Sequence, residues 1–171
     1  IIRHRVSVIN AVLTLHQMIV SYLESANVSV DYQVRLLLLS GDWIPVTLPQ
    51  RIYDLFDDCR VISLGGATEA AIWSISYDIP KKAVFTKSIP YGYPMSNQTF
   101  YVLNNEMQPC PNGVDGSLYI GGIGLSSGYL KDEQLNREKY PALPWSGERI
   151  YRTGDKGCYL PDGIIIFKGR E

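Results

Sequence analysis

Apolar and polar positions change period several times along the first half of the chain, and each change marks an element. Arg5-Val6-Ser7-Val8-Ile9-Asn10 alternates polar and apolar, the pattern of a strand. From Val12 the spacing turns helical: Leu15, Ile19, Tyr22 and Leu23 recur on one face, with Val12 and Met18 filling it, which predicts a helix to about Glu24. A polar break follows at 27–31. Val34-Arg35-Leu36-Leu37-Leu38-Leu39 then runs nearly continuously apolar to Ser40-Gly41, the signature of a buried parallel strand. Pro45 and Pro49 bracket a loop, Gln50 to Phe56 reads as a short helix with Ile52, Leu55 and Phe56 inward, and Arg60-Val61-Ile62-Ser63 is another buried strand. The order β-α-β-α-β predicts an α/β layer with a mixed or parallel sheet. Glycines beyond Leu39 and Leu64 stand where open sheets of this kind bind ligands.

The second half has a different rhythm. From Phe85 onward short strands are predicted at Gln98–Leu103, Gly116–Gly121, Arg149–Arg152 and Ile164–Phe167. Asn104-Asn105, Pro111-Asn112-Gly113 and Pro161-Asp162-Gly163 are turn signals between them, the last closing a hairpin. One short helix is expected, from about Asp132 to Tyr140. The pattern therefore predicts an α/β portion over 1–84 and a small β-barrel-like, β-rich portion over 85–171.

Composition narrows the classes. With 46% apolar and 19% charged residues the chain is expected to fold. A formal net charge of −1 gives no electrostatic case for nucleic acid or an anionic membrane, and the longest apolar run, Leu36–Leu39, is too short to span a bilayer. Arg3, His4 and Arg5 are followed by no signal-like apolar core. Cys59, Cys110 and Cys158 are odd in number and widely spaced, which argues against a disulfide framework or a zinc site. The expectation is buried, inert thiols in a reducing cytoplasm. The absence of an initiator Met and the abrupt end at Gly169-Arg170-Glu171 predict a piece of a larger protein.

Four stretches carry candidate chemistry. Ser63-Leu64-Gly65-Gly66-Ala67-Thr68-Glu69-Ala70 pairs a tight turn with a hydroxyl and a carboxylate, groups suited to a Mg²⁺ ion on phosphates; the competing reading is an ordinary glycine turn followed by a solvated Thr-Glu. Gly121-Gly122-Ile123-Gly124-Leu125-Ser126-Ser127-Gly128-Tyr129 is glycine-rich but lacks dinucleotide-fingerprint spacing. In Tyr151-Arg152-Thr153-Gly154-Asp155 a strand is expected to end at a glycine and present a carboxylate that can accept from vicinal ribose hydroxyls. A plain turn Asp is the alternative. Phe167-Lys168-Gly169-Arg170 offers an aromatic for a base and a guanidinium for a phosphate, or else a core aromatic with a surface Arg.

In this order the four stretches resemble the adenylate-forming superfamily, and within it the adenylation domains of nonribosomal peptide synthetases. Ile89-Pro90-Tyr91-Gly92-Tyr93-Pro94-Met95-Ser96-Asn97-Gln98 and Tyr101-Val102-Leu103 also resemble those domains rather than acyl-CoA ligases or luciferases. The resemblance spans essentially the whole chain. It implies ATP-dependent activation of an amino or hydroxy acid as the acyl adenylate, then loading onto a carrier-protein phosphopantetheine thiol, with neighbouring synthetase domains as partners. By motif, Thr68 and Glu69 are the implied catalytic pair facing the phosphates, with Glu69 on Mg²⁺. Gly65, Gly66 and Ala67 would line the nucleotide, Asp155 would hold the ribose hydroxyls, and Phe167 would lie against adenine or ribose. Arg170 would reach the ribose or phosphate side where the hinge begins. Thr14, Leu38, Ser40, Leu64, Ile72 and Trp73 are the implied acyl pocket.

Two departures from the family pattern stand out. Gly65 replaces a usual aromatic, leaving one-sided stacking of adenine on Phe167, and Ala67 replaces a usual Pro. The Leu-Gly-Gly-Ala-Thr-Glu variant, with Ser40-Gly41-Asp42-Trp43-Ile44-Pro45, resembles a subgroup from siderophore and thiazoline-forming synthetases in which cysteine is a frequent substrate. The family's phosphate loop and amine-pairing Asp are expected upstream of residue 1. Its hinge Asp and its lid with the catalytic Lys are expected beyond Glu171, so the chain alone should be inactive. An acyl- or aryl-acid CoA ligase and a non-catalytic binding module are the alternatives.

Overall fold

The computed structural model describes residues 2–26 and 32–171, so the polar break expected at 27–31 lies outside the described residues. Two compact units share the chain: Ile1–Leu64 with Tyr77–Ile89, and Gly65–Ser76 with Pro90–Glu171. The division expected between residues 84 and 85 falls inside the returning segment of the first unit.

The first unit contains β1 (Val8–Val12), α1 (Leu13–Ser25), β2 (Leu36–Ser40), α2 (Leu48–Leu55) and β3 (Arg60–Gly65), whose last residue passes to the second unit. The strands are parallel and in register, with Asn10 opposite Leu38, Leu38 opposite Ile62, and Ser40 opposite Leu64. Helices α1 and α2 are the crossover elements that parallel neighbours require. The apolar run of β2 is not uniformly buried: Leu37 and Leu39 are, whereas Leu36 and Leu38 are only partly covered.

Helix α1 buries only part of the face its largest apolar residues predict, Leu23 fully and Ile19 in part. Leu13, His16, Val20 and Leu23 are buried, while Val12, Leu15, Met18 and Tyr22 are exposed. Spacing of three and four residues fits both sets. The buried set includes a histidine, which an apolar pattern does not count. His16 Nδ1 lies 3.3 Å from the Val12 carbonyl. Helix α2 starts earlier than expected because Pro49 sits in its first turn, where no intrahelical hydrogen bond is lost. Its inward residues are Leu48, Pro49, Ile52 and Tyr53, with Leu55 only partly buried. The Tyr53 hydroxyl donates to the Ile79 carbonyl at 2.5 Å, and Arg51 donates to both carboxylate oxygens of Glu24, tying α2 to α1.

β4 (Ile75–Ile79) begins in the second unit, where Ile75 and Ser76 pair antiparallel with Pro94 and Tyr93 of β5 (Tyr93–Pro94). The rest of that unit is an antiparallel sheet of β6 (Gln98–Leu103), β7 (Gly116–Gly122), β8 (Tyr151–Tyr159) and β9 (Ile165–Arg170), in that order. α3 (Glu133–Lys139) lies between β7 and β8 in the chain, capped by Asp132, whose carboxylate accepts from the Leu135 amide at 3.0 Å. Leu118, Ile120, Val102 and Ile165 centre one core cluster, and Leu103, Leu143 and Ile150 a second. The hairpin at Pro161-Asp162-Gly163 forms as expected, closed by the Leu160 amide on the Ile164 carbonyl at 2.8 Å.

The strand expected at Arg149–Arg152 does not stop at Gly154. It continues to Tyr159, because Gly154 at φ +76° and an irregularity between Lys156 and Gly157 absorb the break while pairing with β9 goes on. Asp155 is therefore a mid-strand residue, and β9 runs past Phe167 to Arg170. All three cysteines are free and buried.

Candidate functional site

The second unit contains the glycine turn and the residues expected to face a nucleotide. β3 ends at Gly65, and Gly66 follows at φ +146°. A Cβ on Gly66 would lie 2.5 Å from the Ile72 carbonyl oxygen and 2.8 Å from the Ser74 amide, so only glycine fits this turn. Thr68–Ala70 form one 3-10 turn, and Ala71 and Ile72 then adopt left-handed φ values of 60° and 69°. Consecutive left-handed residues with side chains are costly and persist only where surroundings impose them. Here the Ser74 amide donates to the Gly65 carbonyl (2.8 Å), the Ile72 amide to Ala67 (3.0 Å), and the buried Ser74 hydroxyl to Ala70 (2.8 Å). Thr68 emerges exposed beside a partly exposed Glu69.

Glu69 is held from the opposite side by the glycine-rich stretch. The Ser126 amide donates to its carbonyl at 2.8 Å, and the Tyr129 hydroxyl donates to its Oε1 at 2.5 Å. Burial pushes the Glu69 carboxyl up, but hydrogen bonds from Tyr129, from its own backbone amide and from Tyr151 together outweigh it and leave the carboxyl below its ordinary range. Glu69 is thus an ionised carboxylate. The same contacts, with burial as the larger cause, raise the Tyr129 phenol. Tyr140 packs against both phenols, with ring centroids 5.9 Å from Tyr129 and 5.2 Å from Tyr151. Arg149 lies 4.1 Å over the Tyr140 ring and donates to the Ser126 and Ser127 carbonyls. Asn136 brackets Tyr129, accepting from its amide (2.6 Å) and donating to its carbonyl (2.8 Å). Gly128 has no room for a Cβ beside that Asn136 carboxamide. The stretch that lacks a dinucleotide fingerprint is a brace for Glu69.

Asp155 is buried on β8, its amide donating to the Thr153 hydroxyl, which itself donates to the Leu118 carbonyl. Its Oδ1 is buried and receives no hydrogen bond; Arg170 Nε stands 3.1 Å away, an ion pair without hydrogen-bond alignment. Burial raises the Asp155 carboxyl above its ordinary range, with Arg170 pulling only part of the way back. An unsatisfied buried acceptor of this kind suits donors from a bound diol. Phe167 lies on β9, opposite Gly157, with its ring 5.6 Å from that of Tyr91.

Among the described residues no three His, Cys, Asp or Glu side chains cluster as a metal cage. Mg²⁺ bound through phosphates needs only one or two protein carboxylates, and an ionised Glu69 next to the Thr68 hydroxyl fits that requirement. No described helix is long and apolar enough to cross a membrane. Of the expected acyl-pocket residues, Thr14 is exposed on α1, Leu38 and Ser40 are partly buried on β2, and Leu64 is buried near the end of β3, all in the first unit. Ile72, 63% exposed, and the partly buried Trp73 belong to the second.

Comparison with known proteins identifies the family. The family described as AMP-binding enzyme matches residues 1–130. Bacitracin synthase 1 of Bacillus licheniformis is 50% identical over 142 residues, covering 83% of this chain and 3% of that protein. Pyochelin synthetase PchF of Pseudomonas aeruginosa is 46% identical over 169 residues, covering 99% of this chain and 9% of that protein. The crystal structure of the nonribosomal peptide synthetase FmoA3 superposes with a TM-score of 0.93 at 39% identity, over 99% of this chain and 18% of that one; an AMPPNP-bound form gives 0.91. These relatives place the chain among adenylate-forming proteins. It belongs to the AMP-binding enzyme family, as a stretch of the nonribosomal peptide synthetase adenylation domain.

Proposed function

We propose that this stretch is the central part of an adenylation domain that activates an amino acid with ATP for loading onto a carrier domain. In that reaction the amino-acid carboxylate attacks the α-phosphorus of ATP, the bond to the β-phosphate breaks, and pyrophosphate leaves. The phosphopantetheine thiol of a peptidyl carrier domain then displaces AMP from the acyl carbonyl. Asp155 accepts hydrogen bonds from the ribose diol, satisfying Oδ1. Arg170, already paired with Asp155, keeps that carboxylate charged and oriented. Phe167 offers an aromatic face to the adenine or ribose. Thr68 presents its hydroxyl to the phosphates, and Glu69 would hold Mg²⁺, which neutralises charge gathering on the triphosphate.

The observation that carries this reading is the coexistence, in one unit, of an ionised carboxylate at Glu69 and a buried carboxylate oxygen without a donor at Asp155. Cysteine is our preferred substrate, on the strength of the Leu64–Glu69 variant and its resemblance to thiazoline-forming synthetases. Free, buried thiols support a cytoplasmic setting. The chain spans 3% and 9% of those two relatives, so the activity proposed is that of the longer protein.

The test is ATP–pyrophosphate exchange across a panel of amino acids, using a family-length adenylation domain that carries this stretch, with Glu69→Gln as control. Exchange that depends on one amino acid and collapses in the control is expected. Exchange driven by fatty or aryl acids would select a CoA ligase instead. Failure of the domain to bind ATP·Mg²⁺ by calorimetry would select a non-catalytic module.

A further inference from the structure

Gly65 is the position where an aromatic side chain is absent, and its surroundings are specific. A Cβ built there would fall 1.9 Å from Cε2 of Tyr91, 2.5 Å from Cζ and 2.7 Å from the hydroxyl oxygen. The Tyr91 ring thus already occupies the volume into which any residue-65 side chain would grow. It arrives from another segment, held in place because the Tyr91 and Gly92 amides both donate to the Ile165 carbonyl, at 2.9 and 3.1 Å, and the Ile165 amide donates back to Gly92. Ile165 opens β9, the strand that carries Phe167 and Arg170. One backbone clamp therefore fixes Tyr91 relative to two residues of the proposed nucleotide site.

The ring's neighbours sharpen the point. Phe167 lies 5.6 Å away at an interplanar angle of 51°, and Phe100 meets the ring edge-on at 6.0 Å. The hydroxyl faces the Gly66 amide and feels the charges of Asp155 and Arg170; burial pushes it up to about 12, so it is a neutral phenol. The side chain is nevertheless only partly covered. The ring packs on the core of its unit and at the same time stands beside the glycine turn and Phe167.

We infer that Tyr91 is a nucleotide-binding residue of this chain, its ring supplying beside Gly65 the second aromatic surface for the adenine–ribose portion of ATP. Tyr91 and Phe167 are adjoining walls, since their rings meet at 5.6 Å, and the second wall comes from the segment before β5 rather than from the end of β3. Gly65 and Tyr91 then form one unit: the absence of a side chain at one makes room for the ring of the other. This rests on the proposed adenylation activity.

The experiment measures exchange kinetics on the family-length adenylation domain. Tyr91→Leu keeps an apolar side chain but loses the π face, and should raise the KM for ATP on the order of tenfold, the usual weight of one base–aromatic contact. The KM for the amino acid should stay within about twofold, and Tyr91→Phe should stay within about threefold of the parent for both. Gly65→Phe alone meets the Tyr91 ring and should abolish exchange or folding. The double variant Gly65→Phe/Tyr91→Ala should recover an ATP KM within about threefold of the parent, since stacking is restored from the other segment. Thermal denaturation of each variant separates folding loss from binding loss, and the double variant carries the test if Tyr91→Leu does not fold. An unchanged ATP KM in Tyr91→Leu, or a double variant no better than its worse parent, overturns the inference while leaving the proposed activity intact. No exchange by the parent domain with any acid takes down both.

Discussion

Tyr129 donates a 2.5 Å hydrogen bond to Oε1 of Glu69, a residue 60 positions earlier in the chain. The phenol does two things at once: it orients the carboxylate and keeps it ionised. Hydrogen bonds to a charged group contribute about 1.5–3 kcal/mol, enough to matter for a single proposed metal ligand. Tyr129→Phe should therefore raise the Mg²⁺ concentration for half-maximal exchange on the order of tenfold, with a loss of stability no larger than about 3 kcal/mol. Because Glu69 would lose a donor that lowers its carboxyl, the acid limb of the pH–rate profile should also move to higher pH. A Mg²⁺ titration at several pH values checks both; an acid limb that stays put would detach Tyr129 from Glu69.

Asp155 sets function against stability. Its folded carboxyl is raised, so the folded state binds its proton more tightly than the unfolded state does. That costs nothing below the ordinary carboxylate range, and the cost appears as pH rises through it. Asp155→Asn should consequently match the parent in stability near pH 3 and equal or exceed it at pH 7, while its ATP KM rises at least tenfold for want of the second, charged acceptor of the ribose diol. Denaturant melts at the two pH values, paired with exchange kinetics, decide the matter.

Gly66→Ala tests the turn itself. With φ at +146° and a carbonyl oxygen 2.5 Å from the new methyl, the substitution cannot be absorbed locally. A loss of about 2 kcal/mol or more is expected, read as a lower urea midpoint with an unchanged m-value.

His16 gives a pH signature in the other unit. Burial holds its imidazole below the ordinary value of 6.5, partly opposed by backbone contacts, and its Nε2 has no hydrogen-bond partner. The stability it leaves intact is present above pH 6.5 and is lost as pH falls towards its folded value, where the ring must charge inside the core. His16→Leu should remove that acid sensitivity and, by deleting an unsatisfied polar atom, add about 1 kcal/mol at pH 7. Stability curves from pH 5 to 8 for both proteins provide the comparison.

The strands and the parallel order of β1, β2 and β3 were legible because buried runs and turn residues speak locally. The face of α1 was legible only in part: Leu23 is buried and Ile19 partly so, but Leu15 and Tyr22 are exposed, since 13/16/20/23 and 12/15/19/22 are equally helical and only packing chooses between them. Likewise Gly154 reads as a terminator, yet a glycine at φ +76° lets β8 pass Asp155 without ending. The resemblance pointed to Thr68, Glu69 and Asp155. It was silent on Tyr129, Tyr151, Arg149 and Tyr91, whose importance comes from contacts made across tens of residues of sequence. Tyr91 stood within a quoted motif, and only the space above Gly65 reveals why an aromatic belongs there.

The chain passes between its two units at 64/65, 76/77 and 89/90. Grafting either unit onto a homologous scaffold thus requires three junctions, and one of them must be made inside β4. A chimera joined at a single point near residue 84 would take Gly65–Ser76 from one parent and Tyr91 from the other. Gly65 would then face whatever residue the second parent supplies, so recombination between such synthetases is constrained by a pair of residues that must come from the same parent.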